Sequence, residues 1–425
     1  MNRFIFKSYF FDQASKTASF NYAFEDGRAF TEKVAFKLTD NHNYNRETLD
    51  RALFLSFMLV GVSYYKTFPS EDVLIDFPID KWQVNFFNKV YQEGLGQFAY
   101  ENGLKKDDLA HFEANAEYST VMAPNYTGSG TLALQSGGKD SLLTASLLKS
   151  KSIDFAAWYL SSGEDYPSLL EFVSPELIIS NRLIDRNNLN QALGDGALNG
   201  HVPITYIVQS FAVIQAILMG KSDILVSIAH EGEEPHHFIG DLLVSHQWSK
   251  TWFAEEMFAS YVARYISPNI RIGSPLRCYS ELRVAELFVE NSWKLYGYKF
   301  SSCNVYNYRQ GANNKTLGWC GDCPKCVNSY LLFAPFLPKN KLCKLFGGVD
   351  LFARNDLIDT FKGLLGVDGF TKPFECIGEV DELRVAYHMA IKKYDYQKLP
   401  FKVPESNFDY KLLYQAQNWA PKVLQ

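Results

Sequence analysis

No run in this sequence is apolar for long enough to cross a bilayer. The most apolar stretch, ALFLSFMLVGV at 52–62, is well short of the roughly 20 residues a spanning helix needs. It sits inside a longer helical pattern and reads as core. Positive charge is not in excess either. There are 42 Lys and Arg against 47 Asp and Glu, a net charge of −5, so nothing pushes the chain toward bulk nucleic-acid binding. The start, MNRFIFKSYFFDQ, has neither the apolar core nor the small-residue cleavage site of a secretory signal, so the cytoplasm is the expected location. Cysteine is scarce and odd in number, seven in all, and three are crowded together. Without a secretory context that favours metal ligation over a disulfide framework. Repeats and low-complexity tracts are absent.

What remains is a chain of 425 residues, 47% hydrophobic and 15% aromatic. That is enough for two or three domains with substantial cores. Residues 3–38 alternate in short apolar runs separated by polar turns such as EDG, which predicts an antiparallel meander. Helical patterns follow around 46–65 and 81–103, completing an N-terminal α+β module over 1–125. APNYTGSG at 123–130 reads as a linker. From 131 apolar strands alternate with helices. Strands are expected at 131–135, 155–160, 176–180 and 223–229, and helices at 141–151 and 207–220. This predicts an α/β fold, a doubly wound parallel sheet over 126–335, with ligands at the carboxyl ends of its strands. Residues 336–425 are expected to form a mixed, largely helical extension.

Between the strand at 131 and the next helix lies QSGGKDS. Gly137 and Gly138 let the backbone turn and bring its N–H groups close to an anion. Ser136 and Ser141 add hydroxyl donors, and the helix that starts here points its positive end at the same place. Lys139 is a cationic partner. Asp140 would repel a bare phosphate, which implies a Mg²⁺ between it and the phosphates. A Walker loop would need Ser or Thr after Lys139, and this sequence has Asp.

The four residues Cys303, Cys320, Cys323 and Cys326, the last three in CGDCPKC, have the spacing of a closed four-thiolate structural zinc site. A ferredoxin-type iron–sulfur run would want a further Cys-Pro shortly after, and 327–335 contains none. Cys278, Cys343 and Cys376 read as ordinary buried thiols. AHEGEEPHHFIGD then places His230, Glu231, Glu233, Glu234, His236, His237 and Asp241 after an apolar strand. Such groups can act as general acids and bases or hold a metal, and the first three, with His236 and His237, are the candidate catalytic set. The plain alternative is a solvated polar loop. Arg182, His201 and Arg277 are weaker candidates for carboxylate or phosphate contacts, each equally suited to a salt bridge.

The Ser136–Ser141 loop resembles the Ser-Gly-Gly-x-Asp-Ser loop of the PP-loop, or N-type, ATP pyrophosphatases at every position. The resemblance implies that ATP is cleaved to AMP and pyrophosphate, with the loop gripping the pyrophosphate. It implies too that Ser161, in YLSSG, lies on the adenine side. GSPLRCYSELRVAELF at 273–288 and the cysteine cluster are similar to the 7-cyano-7-deazaguanine synthase branch. Over a greater length, FNYAFEDGRAFTE, GVSYYKT and GLGQFAYENGL together with the loop resemble the UDP-N-acetyl-α-D-muramoyl-L-alanyl-L-glutamate epimerases. That likeness implies inversion of the terminal L-Glu of a UDP-linked muramoyl dipeptide in peptidoglycan precursor synthesis. ATP, Mg²⁺ and structural zinc would be required, and no membrane or nucleic-acid partner. A nucleobase- or tRNA-modifying enzyme is the rival expectation.

Overall fold

The computed structural model describes residues 2–38, 44–116, 124–163, 165–308 and 315–414. The first residue of the expected linker and residues 415–425 of the C-terminal extension lie outside them. The N-terminal meander is present as β1 (Phe4–Asp12), β2 (Thr17–Phe24) and β3 (Ala29–Ala35), paired antiparallel in sequence order. Their alternation is that of strands with one buried face: Ala18, Phe20, Tyr22 and Phe24 of β2 are all inside. Helix α1 (Arg46–Val60) follows, its first turn capped by Asn45, whose Oδ1 accepts from the Thr48 N–H. Next come β4 (Val73–Ile75), which lies parallel to β1, and α2 (Lys81–Gln92).

The second half alternates strand and helix. It contains β5 (Thr131–Leu134), α3 (Lys139–Ser150), β6 (Phe155–Ser161), β7 (Glu176–Leu183), α4 (Ile204–Leu218) and β8 (Asp223–Leu225). A small hairpin of β9 (His237–Ile239) and β10 (Leu242–Val244) follows, then α5 (Trp252–Tyr261), β11 (Arg271–Gly273) and α6 (Glu281–Asn291). The larger helices that follow are α7 (Pro324–Phe333), α8 (Ile358–Leu365) and α9 (Val380–Lys393).

Nine strands make one sheet in the order β11-β8-β5-β6-β7-β3-β2-β1-β4, mostly parallel. The five strands from β11 to β7 are parallel neighbours. The meander is joined to them edge to edge, because β3 pairs antiparallel with β7 through Lys33 to Leu183, Val34 to Arg182 and Ala35 to Asn181. A buried ion pair crosses the same seam, with Arg182 Nε 2.6 Å from Glu32 Oε1, and the Tyr64 hydroxyl donates to Glu32 Oε2 at 2.9 Å. The expected strand at 223–229 leaves its ladder after Leu225. Its neighbour β11 ends at Gly273, and the Ile228 N–H turns instead to Ser274 Oγ at 2.9 Å.

Both faces of the sheet are covered. Leu132, Ala156 and Trp158 belong to one hydrophobic core, while Ala133, Phe155 and Ala157 belong to another, the two-residue period of buried strands. Helices α1 and α4 pack together on the first face. Helices α3, α6, α7, α8 and α9 build the second, so the C-terminal extension closes over the core. No helix among the described residues is long and apolar enough to cross a membrane.

Candidate functional site

A cavity of about 370 Å³ opens at the carboxyl ends of β5, β6 and β8, where a parallel sheet presents its ligands. One wall is the glycine turn between β5 and α3. Gly137 has φ +79°, a left-handed conformation, and a Cβ there would lie 2.4 Å from Leu317 Cδ1. Gly138 is the N-cap of α3 and has no side chain with which to cap it. The free first-turn amides and the helix dipole therefore make an anion site beside the cavity. Ser136 and Ser141 brace the turn: the Ser136 N–H donates to Ser141 Oγ at 3.3 Å, and Ser141 Oγ donates to the Gly138 carbonyl at 3.2 Å. Both serines, Gly138 and Asp140 line the cavity.

Lys139 is buried and does not stand free. Its Nζ lies 2.7 Å from Asp140 Oδ1 and 2.8 Å from Glu281 Oε2. Burial opposes its charge, but Asp140 and Glu281 more than restore it and hold the ammonium well above the ordinary lysine range. Glu281 opens α6 and is 6% exposed. Burial pushes its carboxyl up to about 7, with Lys139 pulling it down and Glu231 and Asp140 adding to the rise. Glu231 is equally buried and 3.1 Å from Lys250 Nζ. Burial resists its ionisation, yet Lys250 and Lys139 prevail and hold it below the usual carboxylate range. The Lys250 ammonium is held in turn against its burial by Cys376, Glu231 and Glu281. Two lysines and three carboxylates thus meet at the floor of the anion site.

The rest of the acid–histidine stretch scatters. Only Glu231 of its seven candidates lines the cavity. His230 stacks on Tyr414 with ring centroids 3.7 Å apart, and burial with nearby Arg277 lowers its imidazole to about 4. Glu233 accepts from the Trp252 N–H at the start of α5. Glu234 pairs with Lys372, and exposed Asp241 pairs with Lys106. His236 bonds the Pro373 carbonyl at 3.1 Å and stacks on Phe374. His237 starts β9 and stacks on Tyr100. Ser161 closes the turn after β6 by bonding the Gly163 and Asp165 carbonyls, and Tyr159, two residues earlier, is the β6 residue on the cavity wall. Arg182 lies at the β3–β7 seam. His201 lies against His246, with ring centroids 4.3 Å apart and the rings tilted, and is pushed by burial to about 3. Arg277 is fully buried against Glu255 and donates to the Ala229 and Lys250 carbonyls, so it fixes the backbone that carries Lys250. Cys278 and Cys376 are half-buried, while Cys343 is buried beside the Tyr330 hydroxyl.

Cys303, Cys320, Cys323 and Cys326 converge behind the same wall. Their four Sγ atoms lie within 4.8 Å of one another, the single group of three or more possible metal ligands that close among the described residues. The Cys303–Cys323 and Cys320–Cys326 separations are 3.7 Å, and Cys323–Cys326 is 3.6 Å. An ion about 2.3 Å from each sulfur of a tetrahedron sets its sulfurs about 3.8 Å apart, so this cluster can hold one metal ion. Backbone N–H groups of Tyr306, Gly321 and Asp322 point at the sulfurs, the second-sphere donors that stabilise thiolates.

Sequence reasoning missed Lys250, Glu281 and Lys325. Lys325 lies within the cysteine knuckle and Glu281 just past an N-cap serine, so position gave a signal for these two. Lys250 had none.

Comparison with known proteins adds an independent result. The family model described as the MurL N-terminal domain matches residues 1–273, and that of the MurL C-terminal domain matches 299–409. Three curated proteins bearing the name UDP-N-acetyl-alpha-D-muramoyl-L-alanyl-L-glutamate epimerase are similar over nearly the whole chain. The one from Salinispora tropica is 32% identical, with 91% of this chain and 84% of that protein covered. That from Xanthomonas oryzae pv. oryzae is 31% identical over 88% and 82%. That from a Micromonospora species is 32% identical over 94% and 89%.

Proposed function

The chain belongs to the MurL family of UDP-N-acetyl-alpha-D-muramoyl-L-alanyl-L-glutamate epimerases, and from that premise we propose that it inverts the terminal L-Glu of UDP-MurNAc-L-Ala-L-Glu to D-Glu. The reaction would be driven by cleavage of ATP to AMP and pyrophosphate, on a core of the PP-loop type. The observation that carries the ATP reading is the Ser136–Ser141 turn, intact at the uncapped start of α3 and facing the cavity with Lys139 and Asp140 at its base.

The chemistry supplies the motive. The Cα–H next to a carboxylate is a very weak acid, because its removal would concentrate negative charge. Attack of the substrate's α-carboxylate oxygen on the α-phosphorus forms an acyl-adenylate and expels pyrophosphate, which removes that charge. A base can then take the Cα proton, and an acid returns one to the opposite face. Water finally cleaves the acyl–phosphate linkage, giving carboxylate and AMP. In this reading the glycine turn and Lys139 hold the departing pyrophosphate, and Asp140 would hold a Mg²⁺, which would supply positive charge to offset the negative charge of the leaving group. Glu231 is kept ionised within the cavity, the state a base requires, and Lys250 beside it is kept as a donor. Among the histidine-stretch candidates, position favours Glu231 over His230, Glu233, His236 and His237. The four thiolates would hold a structural zinc ion, a reading supported by three sulfur–sulfur separations near its tetrahedral edge.

The test is turnover of UDP-MurNAc-L-Ala-L-Glu with ATP and Mg²⁺ in D₂O. The expected products are AMP, pyrophosphate and D-Glu carrying deuterium at Cα. Formation of ADP, or D-Glu without deuterium, would sink the scheme. A Glu231→Gln variant should still cleave ATP while deuterium incorporation collapses. If it epimerises at the wild-type rate, Glu231 is not the base.

A further inference from the structure

We propose that the four-cysteine centre builds one wall of the phosphate cavity and presents Lys325 to it as an anion-binding cation, so that metal binding and nucleotide binding are coupled. This rests on the reading of the cavity as an ATP phosphate site. It concerns what the metal is for, which that reading leaves open.

The cysteines belong to two chain segments, and both segments line the cavity. Ser301, Ser302, Asn304 and Asn307 flank Cys303, while Leu317 and Lys325 flank the other three. The segments also touch the glycine turn directly. The Ser301 N–H donates to the Gly137 carbonyl at 3.2 Å. Leu317 occupies the space a Cβ on Gly137 would need, and Ser302 Oγ lies 3.2 Å from where a Cβ on Gly138 would stand. They are tied to each other beside the cluster, with Ser301 Oγ donating to the Gly318 carbonyl at 2.6 Å and the Gly318 N–H donating to Asn307 Oδ1 at 3.0 Å. A metal that clamps Cys303 to the Cys320–Cys326 knuckle therefore also fixes the surface against which the turn is moulded.

Lys325 is the charged product of that arrangement. It lies between Cys323 and Cys326 in the first turn of α7, so the cluster restrains its backbone from both sides. Lys250, the other lysine on the cavity wall, and Lys139 in the adjoining turn are committed to carboxylates. Lys325 lines the same cavity with no carboxylate partner among the described residues. A paired lysine must share or surrender its partner to receive an anion, whereas Lys325 has nothing to surrender. Its ligand is a phosphoryl oxygen of the nucleotide. Linkage then demands reciprocity: whatever factor the metal adds to nucleotide affinity, the nucleotide adds to metal affinity.

The experiment uses full-length, zinc-loaded protein and a Mg²⁺-saturated, non-hydrolysable ATP analogue. Lys325→Met should keep one zinc per chain and bind the analogue about 10- to 100-fold more weakly, the scale of a lost charge-assisted hydrogen bond. Lys325→Arg should restore most of the affinity. Competition for zinc with a chromophoric chelator should show the analogue protecting the metal in the wild type and less so in Lys325→Met. Wild-type affinity in Lys325→Met with zinc retained, or zinc retention indifferent to the analogue, overturns the proposal. If Lys325→Met loses zinc, Lys325→Gln at saturating zinc takes its place, and unchanged affinity there is equally fatal. A loss confined to titration with UDP-MurNAc-L-Ala-L-Glu would assign Lys325 to the substrate carboxylate and overturn the phosphate assignment. If zinc-loaded wild type binds no analogue at all, the ATP reading falls and this inference with it. If wild type binds and epimerises but Lys325→Met matches it, only this inference falls.

Discussion

Replacing Glu281 by Gln should make stability less dependent on pH. Glu281 is 6% exposed, 2.8 Å from Lys139, and pushed by burial to about 7 from an ordinary 4.5. Below pH 4.5 the folded and unfolded chains both hold its proton. Between 4.5 and about 7 the folded chain keeps a proton that the unfolded chain has lost, so folding weakens as pH rises through this window. At 1.36 kcal/mol per unit the contribution lost is about 3 kcal/mol in all. Glutamine does not titrate and carries none of it. The assay is urea unfolding of zinc-saturated wild type and Glu281→Gln at intervals from pH 5.5 to 8. Over this range the gap between the two curves should shift in favour of the variant by about 2 kcal/mol, nearly all of it below pH 7.5. Parallel curves would refute the assignment of a proton to Glu281 and with it the account of the carboxylate cluster. ATP cleavage by the variant should fall even where its stability rises, because Lys139 loses a charged partner that holds it in place.

Other consequences are as direct. Asp140→Ala should leave the far-ultraviolet circular dichroism unchanged and lower AMP formation by about two orders of magnitude or more, as the loss of a metal-anchoring carboxylate predicts. Glu32→Ala strands the buried Arg182 charge at the β3–β7 seam and should cost about 3–5 kcal/mol in urea unfolding. His236→Gln and His237→Phe should keep kcat within a few-fold of wild type, because these rings are committed to Pro373, Phe374 and Tyr100. Stripping metal with a strong chelator should lower the thermal midpoint, and zinc should restore it.

The sequence disclosed what is local. The glycine turn, the cysteine spacing and the apolar strands each announce themselves within a few residues, and the structure contains a turn, a thiolate cluster and strands at those places. What is non-local was not legible. Nothing near Arg182 says that its partner is Glu32, and the joining of meander to parallel sheet depends on that register. The acid–histidine stretch reads as one cluster because its residues are adjacent in sequence. In space the chain reverses through the β9–β10 hairpin, and the side chains diverge to Tyr414, Trp252, Lys372 and Tyr100. Lys250 lies on the cavity wall with its carbonyl held by buried Arg277, a residue remote in sequence that Glu255 fixes in place.

The order of strands has a consequence for the borders of the sheet. An unpaired sheet border is a template on which a second chain can polymerise. Here both outer strands, β11 and β4, are only three residues long, too short to recruit a neighbour. The long interior strand β7 would be such a template if the meander were absent. The meander therefore covers part of that border, at Asn181, Arg182 and Leu183, and a fragment beginning at 124 should self-associate more readily than the whole chain.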